Sequence, residues 1–182
     1  MNILLNDFDP HTVSRNITLL LILGTIPDEA IAADIALHFW YSVFIPAEYH
    51  LRILSVLMTL LKKGNPDGSV VAPLGPHSVL TCLVTPDVKR VLAENAGHEM
   101  SPDRAQVEYE RVKRAPSRAD FWDRMYMLMR PSHRRAFLEH HRFGIIHPFG
   151  ALNAHCNMAN PSLFSNGAWL QTDYADPLES WE

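Results

Sequence analysis

The chain has few cysteines, no large excess of either charge and no long hydrophobic run, and each shortage excludes a class of protein. Its two cysteines, Cys82 and Cys156, are too few for a disulfide framework and form no CxxC pair, which excludes a zinc finger. The net charge of -4 gives no general reason to expect nucleic acid or an anionic membrane as partner. The apolar residues 17–23 are too few to cross a bilayer of roughly 30 Å, and acidic residues precede them where a signal peptide is basic. We therefore expect a cytoplasmic or nuclear protein with no membrane partner.

The first informative segment that is present is a short apolar run at residues 2–6, which leads directly into a helix. In doubly wound α/β proteins the ligand lies beyond the carboxyl ends of the strands, so Asn6, Asp7 and Asp9 stand where such folds bind cofactor groups such as ribose hydroxyls. Asp9 has a competing role, because an aspartate before Pro10 is a good helix N-cap. We expect Asp9 to cap the helix and leave Asp7 open between a solvated and a cofactor-binding role.

A glycine-rich turn is missing ahead of this segment, since Gly24 is the first glycine of the chain. A dinucleotide or S-adenosylmethionine site needs an earlier strand that ends in such a turn, because only glycine lets backbone N–H groups approach the ligand closely. The sequence thus predicts only the half of a nucleotide pocket that carries the carboxylates. We expect no bound cofactor.

Helical periodicity and capping residues predict a helix-rich α/β chain. An apolar run at residues 78–84 predicts a buried strand, and the Gly-, Pro-, Asn- and Asp-rich residues 64–76 predict a loop before it. On the first helix we expect Arg15 to be exposed or paired with a polar group.

From Gly144 onward, prolines and glycines interrupt the pattern, so we divide the chain into an α/β domain at 1–150 and an irregular tail at 151–182 that packs on it. The predicted helices cover residues 10–23, 25 or 27 to 42, 47 to about 62, 86–97, 102–113, 117–129 and 132–143.

Ten histidines raise the question of a metal site, but their spacing does not support one. His140, His141, His147 and His155 lie near Cys156 in sequence, yet none matches HExxH or a zinc-finger pattern. Cys156 beside His155 does not indicate nucleophilic catalysis, since a base and a nucleophile must meet in space. A GxSxG nucleophile elbow is also missing. We expect no metal site and no catalytic residue.

Basic residues concentrate between Arg104 and Arg142, partly offset by acidic ones. On helices such charges pair at i, i+3 or i, i+4, so solvated helix faces are the expected interpretation, with binding of an anion or RNA as the alternative. The Met- and aromatic-rich residues 121–129 favour core packing. The tail aromatics are expected to dock on this chain, or else on another protein, because large aromatic side chains anchor interfaces. These aromatics are Trp169, Tyr174 and Trp181.

Several ordered motifs span nearly all of the chain. They are LNDFDP at residues 5–10 with RN at 15–16, ALHFWYS at 36–42, FGIIHPFG at 143–150, NPSLF at 160–164 and DPLESW at 176–181. Together they resemble a fungal family, a domain of unknown function often found beside MYND zinc fingers and related to the N-terminal domain of dynein axonemal assembly factors. The resemblance implies a methyltransferase-type Rossmann fold, in which a strand with a glycine-rich turn precedes the strand of Asn6 and Asp7.

This chain departs from that family by lacking the earlier strand, its turn and the MYND cysteines. We therefore expect an incomplete Rossmann-like layer, from a truncated or degenerate copy, whose strand at residues 2–6 leaves an unpaired edge for a protein partner or a second copy. The expected function is a non-catalytic interaction or assembly module. One alternative is a fragment of an S-adenosylmethionine-dependent methyltransferase that needs upstream residues, with Asp7 or Asp9 meeting the ribose. The other is the anion or RNA binder.

Overall fold

A computed structural model describes residues 6–62, 68–97, 100–146, 155–165 and 167–170, except for the side chains of 117–121. Helices dominate, and the strands are short. The elements in chain order are α1 (Pro10–Thr25), α2 (Glu29–Tyr41), β1 (Phe44–Pro46), α3 (Ala47–Lys62), β2 (Ser69–Leu74), β3 (Ser78–Leu83), α4 (Pro86–Gly97), α5 (Pro102–Lys113), α6 (Pro116–Leu128), α7 (Pro131–Phe143), β4 (Cys156–Ala159), a 3-10 turn (Pro161–Leu163), β5 (Phe164–Ser165) and β6 (Ala168–Trp169).

The first helix begins where the sequence predicts but runs through the predicted stop at Gly24. Asp9 is its N-cap and Pro10 its first residue, and the helix continues to Thr25. Gly24 is a packing glycine, because a Cβ atom there would lie 2.5 Å from Leu74 Cδ2 and 2.8 Å from Leu74 Cα. The predicted helix at 10–23 therefore ends two residues too early, and the glycine is needed where α1 meets the end of β2.

The N-terminal half of the chain forms one apolar core around α1. Helices α2, α3 and α4 pack on α1, and β2 covers a further part of its surface. Ile22, Ile35 and Leu92 are completely buried at the centre. Arg15 on the same helix is buried too, with its guanidinium 4.6 Å from the centre of the Trp40 ring and its Nη2 donating to the Trp40 carbonyl oxygen at 2.9 Å. The expected polar pairing of Arg15 is confirmed.

A second core joins α5, α6 and α7 to the C-terminal segment. Tyr109 is completely buried, and its ring lies 6.0 Å from that of Trp169. Trp169 therefore docks on this chain, as the sequence predicts, whereas Tyr174 and Trp181 lie outside the described residues. On α6, Trp122 packs against Phe137 with a centroid distance of 5.2 Å, so its buried side joins the core.

Strands β2 and β3 form an antiparallel hairpin, and this corrects the prediction of a loop at residues 64–76. The strand predicted at 78–84 is present as β3, but the prediction that it is buried is wrong, because its side chains are exposed or half-buried on the outer strand of the hairpin. Its partner β2 lies at Ser69–Leu74, inside the predicted loop. The turn-forming residues on both sides of β2 masked a six-residue strand. Alternate side chains of β2, Val70 and Ala72, are buried against the first core, which gives this strand its packing face.

The two cores meet at β1, which pairs in antiparallel register with β4. Phe44 lies opposite Ala159, and Ile45 opposite Met158. Phe44 belongs to the second core and Ile45 to the first, because successive side chains of a strand point to opposite faces. The segments after Gly144 thus complete both cores, and the division at residue 150 stays a prediction.

The chain is therefore a helix-rich mixed α/β protein with small antiparallel sheets. Among the described residues, the strands form three two-stranded antiparallel pairs, β1–β4, β2–β3 and β5–β6. The parallel layer expected of a Rossmann-like fold is not confirmed by these pairings, and the predicted strand at 2–6 falls mostly outside the described residues. No helix in the described ranges is long and apolar enough to span a membrane.

Candidate functional site

The predicted cofactor-binding residues lie close together in sequence before α1, and Asp7 and Asp9 accept hydrogen bonds there. Asn6 and Asp7 are exposed, and Asp7 Oδ1 accepts a hydrogen bond from the Asp9 backbone N–H at 3.0 Å. Asp9 Oδ2 accepts from the backbone N–H and the hydroxyl of Thr12 at 3.0 and 2.8 Å. Its Oδ1 accepts from the His11 N–H at 3.3 Å. Asp9 is thus the helix cap, as expected, and a cofactor role for the three residues stays a prediction.

Replacing Asp9 with alanine is expected to lower the free energy of unfolding by about 1 kcal/mol at neutral pH. Partial burial raises the pKa of Asp9, but hydrogen bonds from Thr12 and His11 outweigh it and hold that pKa below its usual value. The cap therefore stabilises the fold fully above the unfolded pKa of about 3.9, and this contribution is lost as the pH falls through the lower folded value.

Urea denaturation of the wild type and of Asp9→Ala, at neutral pH and near pH 3, measures this effect. The stability difference should be largest at neutral pH and narrow in acid, because the protonated carboxyl is a weaker acceptor. The Asp9→Asn variant is the matched control and should keep most of the stability at neutral pH, since asparagine also caps helices well. A difference that does not change with pH would contradict a cap that acts as a carboxylate.

Near Asp34 on α2, the structure places three groups that can act in catalysis elsewhere: the Tyr49 hydroxyl, the His38 imidazole and the Cys156 thiol. Tyr49 donates a short hydrogen bond to Asp34 Oδ2, and His38 Nε2 lies 4.0 Å from Asp34 Oδ1. Burial, the hydrogen bond to Asp34 and the Asp34 charge raise the pKa of Tyr49 to about 12. Burial, with Asp34, also raises the pKa of the Cys156 thiol. The phenol and the thiol are therefore protonated at neutral pH, so neither is an activated nucleophile.

The motifs that carry the family resemblance meet in a buried hydrogen-bond network that we call the polar junction, formed by His38, Ser42, Asn160 and Ser162. Asn160 Nδ2 lies 2.8 Å from the carbonyl oxygens of both Phe39 and Ser42, and 3.3 Å from that of His38. Asn160 Oδ1 accepts from the backbone N–H and the hydroxyl of Ser162. One side chain thus satisfies the C-terminal carbonyls of α2 and begins the 3-10 turn.

Other contacts extend the polar junction to α7. His38 Nδ1 lies 3.0 Å from Ser42 Oγ, which accepts a hydrogen bond from the Ile146 N–H at 2.9 Å. His140 Nε2 lies 2.9 Å from the Tyr41 carbonyl oxygen. His38 and His140 are therefore structural groups at the C-terminal end of α2. Sequence reasoning missed Asn160, although its position before Pro161 is a capping signal.

The remaining histidine candidates are not brought together by the structure. His155 is exposed, and His141 packs edge-on against the Trp122 ring at a centroid distance of 4.2 Å. Burial, with the nearby Lys113, lowers the pKa of His141. Within the described part of the chain, no group of three or more His, Cys, Asp or Glu residues is placed to hold a metal ion. His147 lies outside that part.

The basic residues of α5 and α7 are largely paired within their own helices. Arg111 contacts Glu108 at 2.5 Å, Lys113 contacts Glu110 at 2.6 Å, and Arg135 contacts Glu139 at 3.4 Å. Arg134 donates to the carbonyl oxygens of Met127 and Met129. These contacts agree with solvated, internally paired helix faces.

The hairpin of β2 and β3 presents an uncharged surface to solvent. Residues 68–86 contain no Asp, Glu, Lys or Arg. The side chains of Val71, Val79 and Leu83 point away from the core and are 54%, 64% and 69% exposed. We call residues 68–85 the uncharged hairpin. Large exposed apolar side chains on a sheet face, without charges around them, are typical of an interaction surface.

A comparison with known families gives one match. Residues 1–45 match a family described as a domain of unknown function (DUF4470). The similar region holds Asn6, Asp7 and Asp9, the helices α1 and α2, and the His38 and Ser42 members of the polar junction. No curated protein and no solved structure matches the chain. The later motifs of the chain lie outside the matched residues.

Proposed function

We propose that this chain is a non-catalytic protein-interaction or assembly module of methyltransferase-like ancestry, acting in the cytoplasm or nucleus. The observation that carries the proposal is the uncharged hairpin. Its inner face packs on the first core, while its outer face exposes Val71, Val79 and Leu83. A sheet face of this kind, next to an open strand edge, binds partners by strand addition, in which backbone hydrogen bonds supply affinity and alternate side chains supply specificity.

The roles of the other candidate residues support a non-catalytic module. Asp9 is engaged as a helix cap, and the polar junction uses His38 and Asn160 to satisfy backbone carbonyls. Near Asp34, the hydroxyl of Tyr49 and the thiol of Cys156 have raised pKa values. Asp9 and the polar junction therefore have structural roles, and the groups near Asp34 are not activated nucleophiles. The resemblance to a fungal family linked to MYND proteins and dynein assembly factors supports an assembly role by analogy alone.

The competing proposal is a methyltransferase fragment that binds S-adenosylmethionine through Asn6, Asp7 or Asp9. Isothermal titration calorimetry of the whole chain with S-adenosylmethionine distinguishes the two. A non-catalytic module is expected to show no saturable heat. Saturable binding that is lost in Asp7→Asn would refute our proposal and favour the enzyme, and Asp87→Asn, at a residue outside the predicted cofactor-binding group, is the matched control.

A further inference from the structure

Resting on the proposed interaction function, we propose that the partner of the uncharged hairpin is a second copy of this chain, joined edge to edge through β3. In this dimer the β3 strands of the two copies run antiparallel about a two-fold axis. The two hairpins then form one four-stranded antiparallel sheet.

The register of the hairpin decides which backbone groups face outward. The Val84 N–H donates to the Gly68 carbonyl at 2.9 Å, so this pair and the pairs at alternate positions inside the hairpin exchange hydrogen bonds. The backbone groups of Val79, Thr81 and Leu83 therefore point away from β2. Within the described residues, no backbone hydrogen bond to these three is present. They form an open edge of the kind that accepts another strand.

The opposite edge is less suited to a partner. Pro73 on β2 pairs with Val79 in the hairpin register, at a position whose nitrogen faces outward. Proline has no N–H to donate, and natural sheets place it on edge strands to prevent further pairing. β3 contains neither proline nor a charged residue. The chain thus blocks one edge of the hairpin and leaves the other free.

The open edge of β3 is self-complementary. In an antiparallel pair centred on Thr81, this residue lies opposite its own copy, and Val79 lies opposite Leu83 of the second molecule. The outer side chains then form a continuous apolar stripe with the two threonines at its centre, where their hydroxyls can hydrogen-bond. Each outward N–H meets a carbonyl, since the same three residues supply donors and acceptors on both sides.

Charge makes the β3 edge a more favourable contact between two copies of this chain than most of its other surfaces. The chain has a net charge of -4, so most contacts between two copies bring like charges together. The β3 edge avoids this cost, because residues 68–86 are uncharged. The nearest charged residue after β3 is Asp87, which lies in the first turn of α4 and not on the paired strand. The two paired β3 strands therefore bring no charged side chains together.

Sedimentation velocity over a wide range of protein concentration tests the dimer. The wild type is expected to shift from monomer to dimer as concentration rises. Thr81→Pro, which removes an outward N–H without breaking a bond of the hairpin, and Thr81→Lys, which brings two positive charges together, are both expected to abolish the shift. Val71→Lys is the matched control, because Val71 lies directly across the hairpin from Thr81 on the same exposed face but not on the open edge. This control should still dimerise.

A cross-linking measurement captures the interface directly. In a chain with Cys82→Ser and Cys156→Ser, Thr81→Cys is expected to form disulfide-linked dimers on mild oxidation, whereas Val71→Cys is not. A wild type that stays monomeric at every concentration would overturn the proposal. Loss of the dimer in Val71→Lys would overturn it in favour of face-to-face packing. Both outcomes are separate from the calorimetry above, since a monomer that does not bind S-adenosylmethionine leaves the interaction module intact with a different partner.

Discussion

Replacing Asn160 with alanine is expected to lower the free energy of unfolding by about 3–5 kcal/mol, because three buried carbonyl groups each lose a donor and the side chain leaves a cavity. Asn160 is completely buried, and its Nδ2 faces the carbonyl oxygens of His38, Phe39 and Ser42. These carbonyls lie at the C-terminal end of α2, where the Ser42 N–H also donates to the His38 carbonyl and the Ser162 hydroxyl lies 3.2 Å from the Phe39 carbonyl oxygen. Alanine supplies no donor and leaves a small cavity. Guanidinium denaturation followed by circular dichroism measures the loss.

Two variants separate the donor role of Asn160 from its size. Ser162→Ala removes a hydroxyl that donates to Asn160 Oδ1 at 2.9 Å, and is expected to cost about 1 kcal/mol. Asn160→Asp keeps the shape but places a carboxylate against the carbonyl oxygens, and should be at least as damaging as alanine at neutral pH. Stability of Asn160→Asp close to that of the wild type would contradict a donor role of Asn160 toward these carbonyls.

The helices of this chain could be predicted because their signals are local. Asp9 with Pro10, Ser101 with Pro102 and the glycine at the end of α7 mark helix ends within a few residues, and the structure places the ends there. The starts of α6 and α7 were displaced by one residue. Pro116 and Pro131 are the first helical residues, one position before the predicted starts at 117 and 132, since proline fits the first turn without needing its missing N–H.

The strands were harder to predict because their stability comes from distant partners. β1 has three residues between two helices and includes Pro46, so it gives almost no periodic signal. It exists as a strand because residues 156–159 pair with it. β2 was hidden by the turn-forming residues around it, although its alternating burial matches a strand with one packed face. Sequence patterns of short strands cannot show a pairing that the rest of the chain provides.

In the candidate site, too, features set by neighbouring residues could be predicted and features set by distant residues could not. The N-cap role of Asp9 was predicted because it depends on residues within one turn. The polar junction was not, because His38 and Ser42 are separated from Asn160 by most of the chain. The resemblance motifs contained all three residues without showing that they meet. The uncharged stretch was visible in the sequence, but its meaning depends on β2 and β3 forming a hairpin with one face exposed.

Gly144 illustrates how a residue inside a recognised motif gains its physical role from the fold. It ends α7 in the left-handed region, with φ 69° and ψ 22°. Its carbonyl oxygen accepts a hydrogen bond from the Val43 N–H, which connects α7 to the segment before β1. A Cβ atom at this position would lie 2.9 Å from Val43 Cβ and 3.2 Å from Tyr109 Cε1. Both neighbours are completely buried and cannot move into solvent.

Gly144→Ala is therefore expected to lower the free energy of unfolding by about 3 kcal/mol, with roughly 1 kcal/mol from the left-handed backbone and the rest from overpacking against Val43 and Tyr109. Gly75→Ala is the matched control. Gly75 has a similar φ of 67°, but a Cβ there would meet nothing within 4 Å, so its alanine variant should show the backbone cost alone. Chemical denaturation of both variants gives the two values. Equal losses would show that Val43 and Tyr109 move to admit the added methyl group at little cost in free energy. The packing around Gly144 would then be looser than the complete burial of these two side chains indicates.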